Sequence, residues 1–272
     1  MSNISPIDGR YKKNVSELGE YFSEQALMRH RVMVEVKYLL ALVENKPFKK
    51  TRALSKKTFI SLKNLYVDFS LKDFKQIKKI EEKTNHDVNA VVVFISEKLK
   101  RAGRKDLVPL VHFGLTSEDV NNTAYSLMTR GAVDNIMIPS IKSVLKELKT
   151  LSKKTKSLPL LSLTHGQPAT TTTLGKELAV FISRVERELA LIKKMRLLAK
   201  FSGATGSYAA HKVAFPGFSW SVFSKRFINK LGLEQSPVST QIEPGDSLAE
   251  LFHSFVRINN IFSDFSLDMW LY

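Results

Sequence analysis

TSEDVNNTAYSLMTRGAVDNIMIPSIKSVLKELKTLSKKTK, residues 116–156, is the stretch whose reading decides the fold. Thr116 and Asp119 have the spacing of a capping box, in which a hydroxyl and a carboxylate satisfy backbone donors that an opening helix leaves free. Behind them a helical pattern runs on to about Lys156. Pro139 interrupts it, so a kink or break is expected there, because proline lacks the N–H and its ring crowds the preceding turn.

The same grammar recurs on both sides. Ser23 is placed to cap a helix to about Asn45, with Leu27, Val34, Tyr38 and Ala41 at near-helical spacing and Lys46-Pro47 ending it. Ser70 and Asp73 again have capping-box spacing, ahead of Leu71, Phe74, Ile77 and Ile80. Asp87 suits the cap of the next helix, where Val88, Val91, Val92, Ile95 and Leu99 mark one apolar face and Gly103 the stop. Leu107–Leu115 is the one short segment that reads as extended. Downstream, Ser157–Thr173 reads as a loop and Leu174–Lys200 as a long charged helix. Gly203–Gly217 reads as a glycine-containing loop with room for a hairpin, Ser219–Leu231 as a shorter helix, and Ser236–Gly245 as a loop. Ser247 opens a helix still running at Leu271 and Tyr272. Its stripe of Leu248, Leu251, Phe252, Phe255, Ile258, Phe262, Phe265 and Met269 meets no cap, glycine or proline, and reads as a helix cut in mid-span.

The expected fold is therefore all-α. A smaller helical domain, 1–107, precedes the incomplete helical bundle of 108–272, since helices of this length pack along one another.

Composition sets the limits. The 272 residues are 43% hydrophobic and 10% aromatic, enough for a substantial core. The absence of cysteine excludes a disulfide scaffold, a thiolate zinc site and a cysteine nucleophile. No apolar run approaches the roughly 18–20 residues that span a bilayer. Met1–Gly19 is polar and broken by Pro6 and Gly9, unlike a signal peptide. A cytoplasmic protein with no membrane partner is expected. The formal net charge is +16, and Lys46–Lys105 holds 17 Lys or Arg against 6 Asp or Glu. That region suits nucleic acid or an acidic surface, or is a solvated lysine face. No nucleic-acid motif accompanies it, so the solvated face is the favoured reading.

Polar clusters fall in the breaks between helices, where side chains and free amides can meet a ligand. In Ser5-Pro6-Ile7-Asp8-Gly9-Arg10-Tyr11 the guanidinium offers a fork to anionic oxygens, although an ordinary N-terminal arm would also explain the segment. Asn85-His86-Asp87 opens a helix, as an anion site or as a plain cap. Thr116-Ser117-Glu118-Asp119 followed by Asn121-Asn122 offers hydroxyls and first-turn amides to a carboxylate or phosphate, and capping alone would also account for Thr116 and Asp119. Thr164-His165-Gly166-Gln167-Pro168 puts a histidine where it can act as an acid near neutral pH or simply lie exposed. In Thr240-Gln241-Ile242-Glu243-Pro244-Gly245-Asp246, Gln241 is suited to an amide or carboxylate. His30, His112, His211 and His253 stand alone, and no set of residues has metal-site spacing.

Together these segments resemble the fumarase/aspartase superfamily and, within it, the adenylosuccinate lyases. The likeness rests on S-P-x-D-G-R-Y at Ser5–Tyr11, N-H-D-V at Asn85–Val88, T-S-E-D at Thr116–Asp119, T-H-G-Q-P-A-T at Thr164–Thr170 and T-Q-I-E-P at Thr240–Pro244, in that order. The resemblance implies β-elimination of fumarate from adenylosuccinate, giving AMP, and from the succinyl-carboxamide intermediate of purine synthesis. It implies no cofactor, no metal, and a homotetramer that assembles each site from several subunits. His165 would be the general acid. Arg10 and Tyr11 would hold the nucleotide phosphate. Asn85, His86 and Asp87 would bind the substrate, with His86 orienting its charge. Thr116 and Ser117 would hold a succinyl carboxylate, and Gln241 would contact the substrate. The family's base is a serine in the loop S-S-x-M-P-x-K-x-N-P, which these 272 residues do not contain. The chain is therefore expected to be the N-terminal part of the enzyme and inactive alone. A non-catalytic bundle relative and a basic nucleic-acid-binding helical protein are the other readings.

Overall fold

The computed structural model describes residues 5–45 and 54–271. The chain forms two compact units, Met1–Ala132 with Leu197–Pro244, and Val133–Arg196 with Gly245–Tyr272. Leu107, the expected end of an N-terminal domain, is buried within the first. The fold is all-α with four short strands among the described residues.

In the first unit a 3-10 segment, Lys12–Leu18, runs into the single turn α1 (Gly19–Phe22) and then α2 (Glu24–Glu44). The Ser23 hydroxyl accepts from the Ala26 amide at 3.1 Å, the expected N-cap. Val32, Val34, Val36, Leu39 and Leu42 of α2 are fully buried. A helix buried on several faces sits at a centre, and α2 packs against α3 (Lys56–Val67), α4 (Leu71–Thr84), α5 (Asp87–Arg101) and α6 (Ser117–Ala132). The Lys46-Pro47 stop lies outside the described residues. The box at the head of α4 forms in both directions, Asp73 amide to Ser70 Oγ at 3.3 Å and Ser70 amide to Asp73 Oδ2 at 3.2 Å.

Two local expectations change. The cap of α5 is His86, whose Nδ1 accepts from the Asn89 amide at 3.2 Å, while Asp87 becomes the first helical residue. Asn85 ends α4 in the left-handed region at φ 49°, which asparagine tolerates better than most residues, and so lets one helix stop and the next start within two residues. Leu107–Leu115 is not extended. A 3-10 helix, Lys105–Leu110, occupies its first part and turns follow, with Leu107 and Leu110 turned into the core.

The unit is closed by β3 (Leu198–Ala199), α9 (Ala209–Ala214), α10 (Trp220–Lys230) and β4 (Glu234–Gln235). β3 and β4 pair in parallel. The helix that the sequence extends to Lys200 ends at Lys194, and Leu198–Ala199 is strand instead. The glycine-containing loop holds the short helix α9, not a hairpin. Tyr38 from α2 packs its ring on Phe201 and Phe227 at centroid distances of 5.1 and 5.7 Å.

The second unit contains α7 (Ile138–Lys154), the hairpin β1 (Pro159–Thr164) and β2 (Gln167–Thr173), α8 (Leu174–Lys194) and α11 (Asp246–Leu271). Before Pro139 the chain takes π-helical form over Val133–Met137, the expected interruption in the helix. α8 packs on both α7 and α11. Gly175 lets α8 meet α7, since a Cβ there would lie 2.4 Å from the Ser152 carbonyl. Arg257–Glu188 and Arg184–Asp264, both at 2.8 Å, tie α11 to α8. The hairpin replaces the loop expected over Ser157–Thr173. His165 and Gly166 form its two-residue turn at φ 53° and 73°, the positive-φ geometry that matches strand twist.

Candidate active site

The first turns of α5 and α6 bring two of the sequence motifs together. His86 spends Nδ1 on its cap, and its Nε2 lies 3.4 Å from Ser117 Oγ. Thr116 and Ser117 begin α6 and are partly buried. Two helix N-termini, an imidazole and the Ser117 hydroxyl thus converge, and each contributes donors or positive potential. That arrangement is chemically suited to a carboxylate.

A residue absent from the sequence reading organises the cluster from below. Arg31 of α2 is buried, reaches Asp87 Oδ2 at 2.6 Å and donates from Nε to Asn121 Oδ1 at 2.8 Å. One guanidinium therefore ties α2 to the heads of both α5 and α6. Burial works against the charge on Asp87, but Arg31 and the Val88 amide outweigh it and hold the carboxyl below its ordinary value. Nothing local in the sequence marks Arg31 as facing inward, since its partners lie 56 and 90 positions away.

Asp119 is fully buried. It accepts from the Thr116 amide at 2.8 Å, completing half of the expected box, and from Lys200 Nζ at 2.7 Å. Glu118 accepts from the Glu243 amide, which links the head of α6 to the segment carrying Gln241. Burial is the main cause that raises the Glu118 pKa. Gln241 itself is exposed.

Three further predicted residues are each at the surface of their own unit. Arg10 and Tyr11 are exposed and pair with each other, the guanidinium carbon 5.5 Å from the ring centroid. His165 is exposed at the hairpin tip of the second unit. Two histidines read as solitary have partners. His112 Nδ1 lies 2.5 Å from Glu35 Oε1. Burial opposes a charged His112, yet the Glu35 carboxylate prevails and raises its pKa. His211 Nε2 lies 3.1 Å from the Tyr38 hydroxyl. Among the described residues no cluster has the composition of a metal site, and no helix is long and apolar enough to cross a membrane.

Residues 9–272 match a family model described as "Lyase". The chain is 43% identical to the adenylosuccinate lyase of Dictyostelium discoideum and 40% identical to that of Escherichia coli strain K12, in each case over its whole length and 60% of the relative's. It thus spans about three-fifths of these curated relatives. Among solved structures, the fumarate lyase of Mesorhizobium sp. BNC1 superposes with a TM-score of 0.76 at 20% identity, over 94% of this chain and 57% of that one. The β-carboxy-cis,cis-muconate cycloisomerase of Acinetobacter calcoaceticus sp. ADP1 does so at 0.74 and 21% identity, over the same shares. At that identity the structures speak for the fold, and with the family match over nearly the whole sequence the chain belongs to the lyase family.

Proposed function

We propose that this chain carries the carboxylate-binding part and the acid of an adenylosuccinate lyase. The observation that supports this most directly is the meeting of His86 with Ser117 at the heads of α5 and α6. The likeness to relatives named adenylosuccinate lyase supports adenylosuccinate as the substrate.

In this reading a base removes a proton from the succinyl carbon next to a carboxylate. The electron pair left behind becomes the new C=C bond of fumarate as the C–N bond breaks. The nitrogen keeps the electrons of that bond and takes a proton from His165. Thr116, Ser117 and His86 hold the succinyl carboxylate whose charge grows during proton removal, which is where preorganised donors lower a barrier most. Arg10 and Tyr11 bind the nucleotide phosphate, Asn85 and Asp87 bind the substrate beside His86, and Gln241 contacts the substrate. The family's base is a serine in a loop that these 272 residues do not contain; in this reading the enzyme acts as a homotetramer in the cytoplasm with neither metal nor cofactor. The succinyl-carboxamide intermediate of purine synthesis is a second substrate of the same chemistry.

The test uses the chain extended to the full length of its relatives. His165→Ala should lower kcat roughly 100-fold or more, the usual weight of a general acid. Ser117→Ala should act mainly on KM, raising it about 10-fold for the loss of a hydrogen bond to a charged group. Near-wild-type kinetics in both variants would refute the assignment.

A further inference from the structure

Asp119 does more than cap α6. Its two oxygens accept from the Thr116 amide at 2.8 Å, the Ser202 amide at 2.9 Å and the Gly203 amide at 3.1 Å, and Lys200 Nζ lies at 2.7 Å. Both charged side chains are fully buried. Lys200 also donates to the Gly203 carbonyl. Asn122, one turn along α6, brackets the Lys200 backbone, accepting from its amide at 2.8 Å and donating to its carbonyl at 2.9 Å. The 200–203 loop is thus fastened to the first turn of α6 through both side chain and backbone.

Stability alone is a poor reason for such a pair. Removing two ions from water costs about as much as their attraction returns, and apolar replacements of similar volume are often equally stable. Position is a better reason. A carboxylate so close to a helix N-terminus repels any anion bound there. Lys200 cancels that charge while leaving the carboxylate able to fix three amides. The Thr116 amide is one of them, so the same contacts set the backbone from which Thr116 and Ser117 project. Donors aimed at a growing charge must be held to within about half an ångström.

We propose that Asp119 and Lys200 are positioning residues which set the Thr116–Ser117 carboxylate cradle without touching the substrate. The role rests on the lyase reading above.

The test compares Asp119→Asn, Lys200→Met and the double variant. Each single change leaves a buried charge unpaired, so both singles should lose stability. The double variant is neutral and should recover most of it. In the extended enzyme its KM for adenylosuccinate should nevertheless stay about 10-fold raised with kcat changed less, since an amide oxygen is a weaker acceptor than a carboxylate. Lys200→Met should raise KM further, because it leaves a bare negative charge beside the cradle. On the 272-residue chain, amide exchange at Thr116, Ser202 and Gly203 should quicken about 10-fold in the double variant while Val91 is unaffected. KM returning together with stability, or exchange at the three amides unchanged, would overturn the proposal. An extended wild type without turnover would sink the lyase reading instead, and the exchange rates would then decide the clamp alone.

Discussion

His211 is buried beside Trp220, ring centroids 4.6 Å apart, and its Nε2 meets the Tyr38 hydroxyl. Burial penalises the charged ring and lowers its pKa from 6.5 to about 4. Between those values the unfolded chain binds the proton and the folded chain does not. The contribution to stability is therefore complete above pH 6.5 and is lost as pH falls toward 4. Urea unfolding should show His211 costing roughly 2 kcal/mol at pH 5 relative to pH 7.5, and His211→Phe should flatten that slope. Replacing Trp270 of the second unit by Phe lets Trp220 report alone. An unchanged slope in His211→Phe would mean that another group titrates. Arg31 is the other telling residue. Arg31→Met should destabilise the first unit by about 2 kcal/mol, since it strands Asp87 and Asn121, and the same unfolding measurement checks it. Neither role could be read from sequence. His211 and Tyr38 are 173 positions apart, Arg31 and Asn121 are 90 apart, and the pattern of either helix alone is silent about the partner. By contrast Ser23, Ser70 and Thr116 were legible, because their hydrogen-bond partners lie three residues away.

At the scale of elements the same distinction holds. Helices α2, α4, α5, α10 and α11 follow periodicities written within their own segments. The interruption before Pro139 was equally local. The hairpin is hidden in the sequence because Pro168 falls within its second strand and His165-Gly166 is not the usual Asn-Gly turn, although the β-branched run Thr170–Thr173 favours a strand. α8 ends at Lys194, where Met195 turns extended, and Leu198–Ala199 pairs with Glu234–Gln235, a partner that periodicity cannot show. The turn carries its own prediction. Gly166 sits at φ 73°, where a β-branched side chain costs about 1–2 kcal/mol. Gly166→Val should weaken the cross-strand contacts of Leu163 with Pro168 in NMR spectra and, in the extended enzyme, lower kcat by misaiming His165. Gly166→Asn should be tolerated. Intact strand contacts and full activity in the valine variant would show that the turn does not aim the histidine.

At the scale of the whole molecule, each unit is built from two separate stretches of chain, a division that no local pattern announces. The motifs of the candidate site were legible as chemistry, while their arrangement was not. His86 and Ser117 meet where α2 packs against both α5 and α6 and Arg31 bonds Asp87 and Asn121 near their heads. On α11, Phe252, Val256 and Leu267 are more than half exposed and Trp270 is 87% exposed, an apolar surface that favours association. The 272-residue chain should therefore elute above monomer mass, and Phe252→Glu with Val256→Glu should reduce that. Monomeric elution of the unchanged chain would contradict this. Under the proposed function these residues bind the substrate and supply the acid of a lyase, while the base is not among them. Fumarate release from adenylosuccinate tests it most directly, measured side by side for the 272-residue chain and for the chain extended to the length of its relatives, both free of host enzyme. Turnover is expected from the extended protein and none from the 272 residues. Robust turnover by the short chain would show that it holds its own base, and silence from a folded extended protein would show that it is not this lyase.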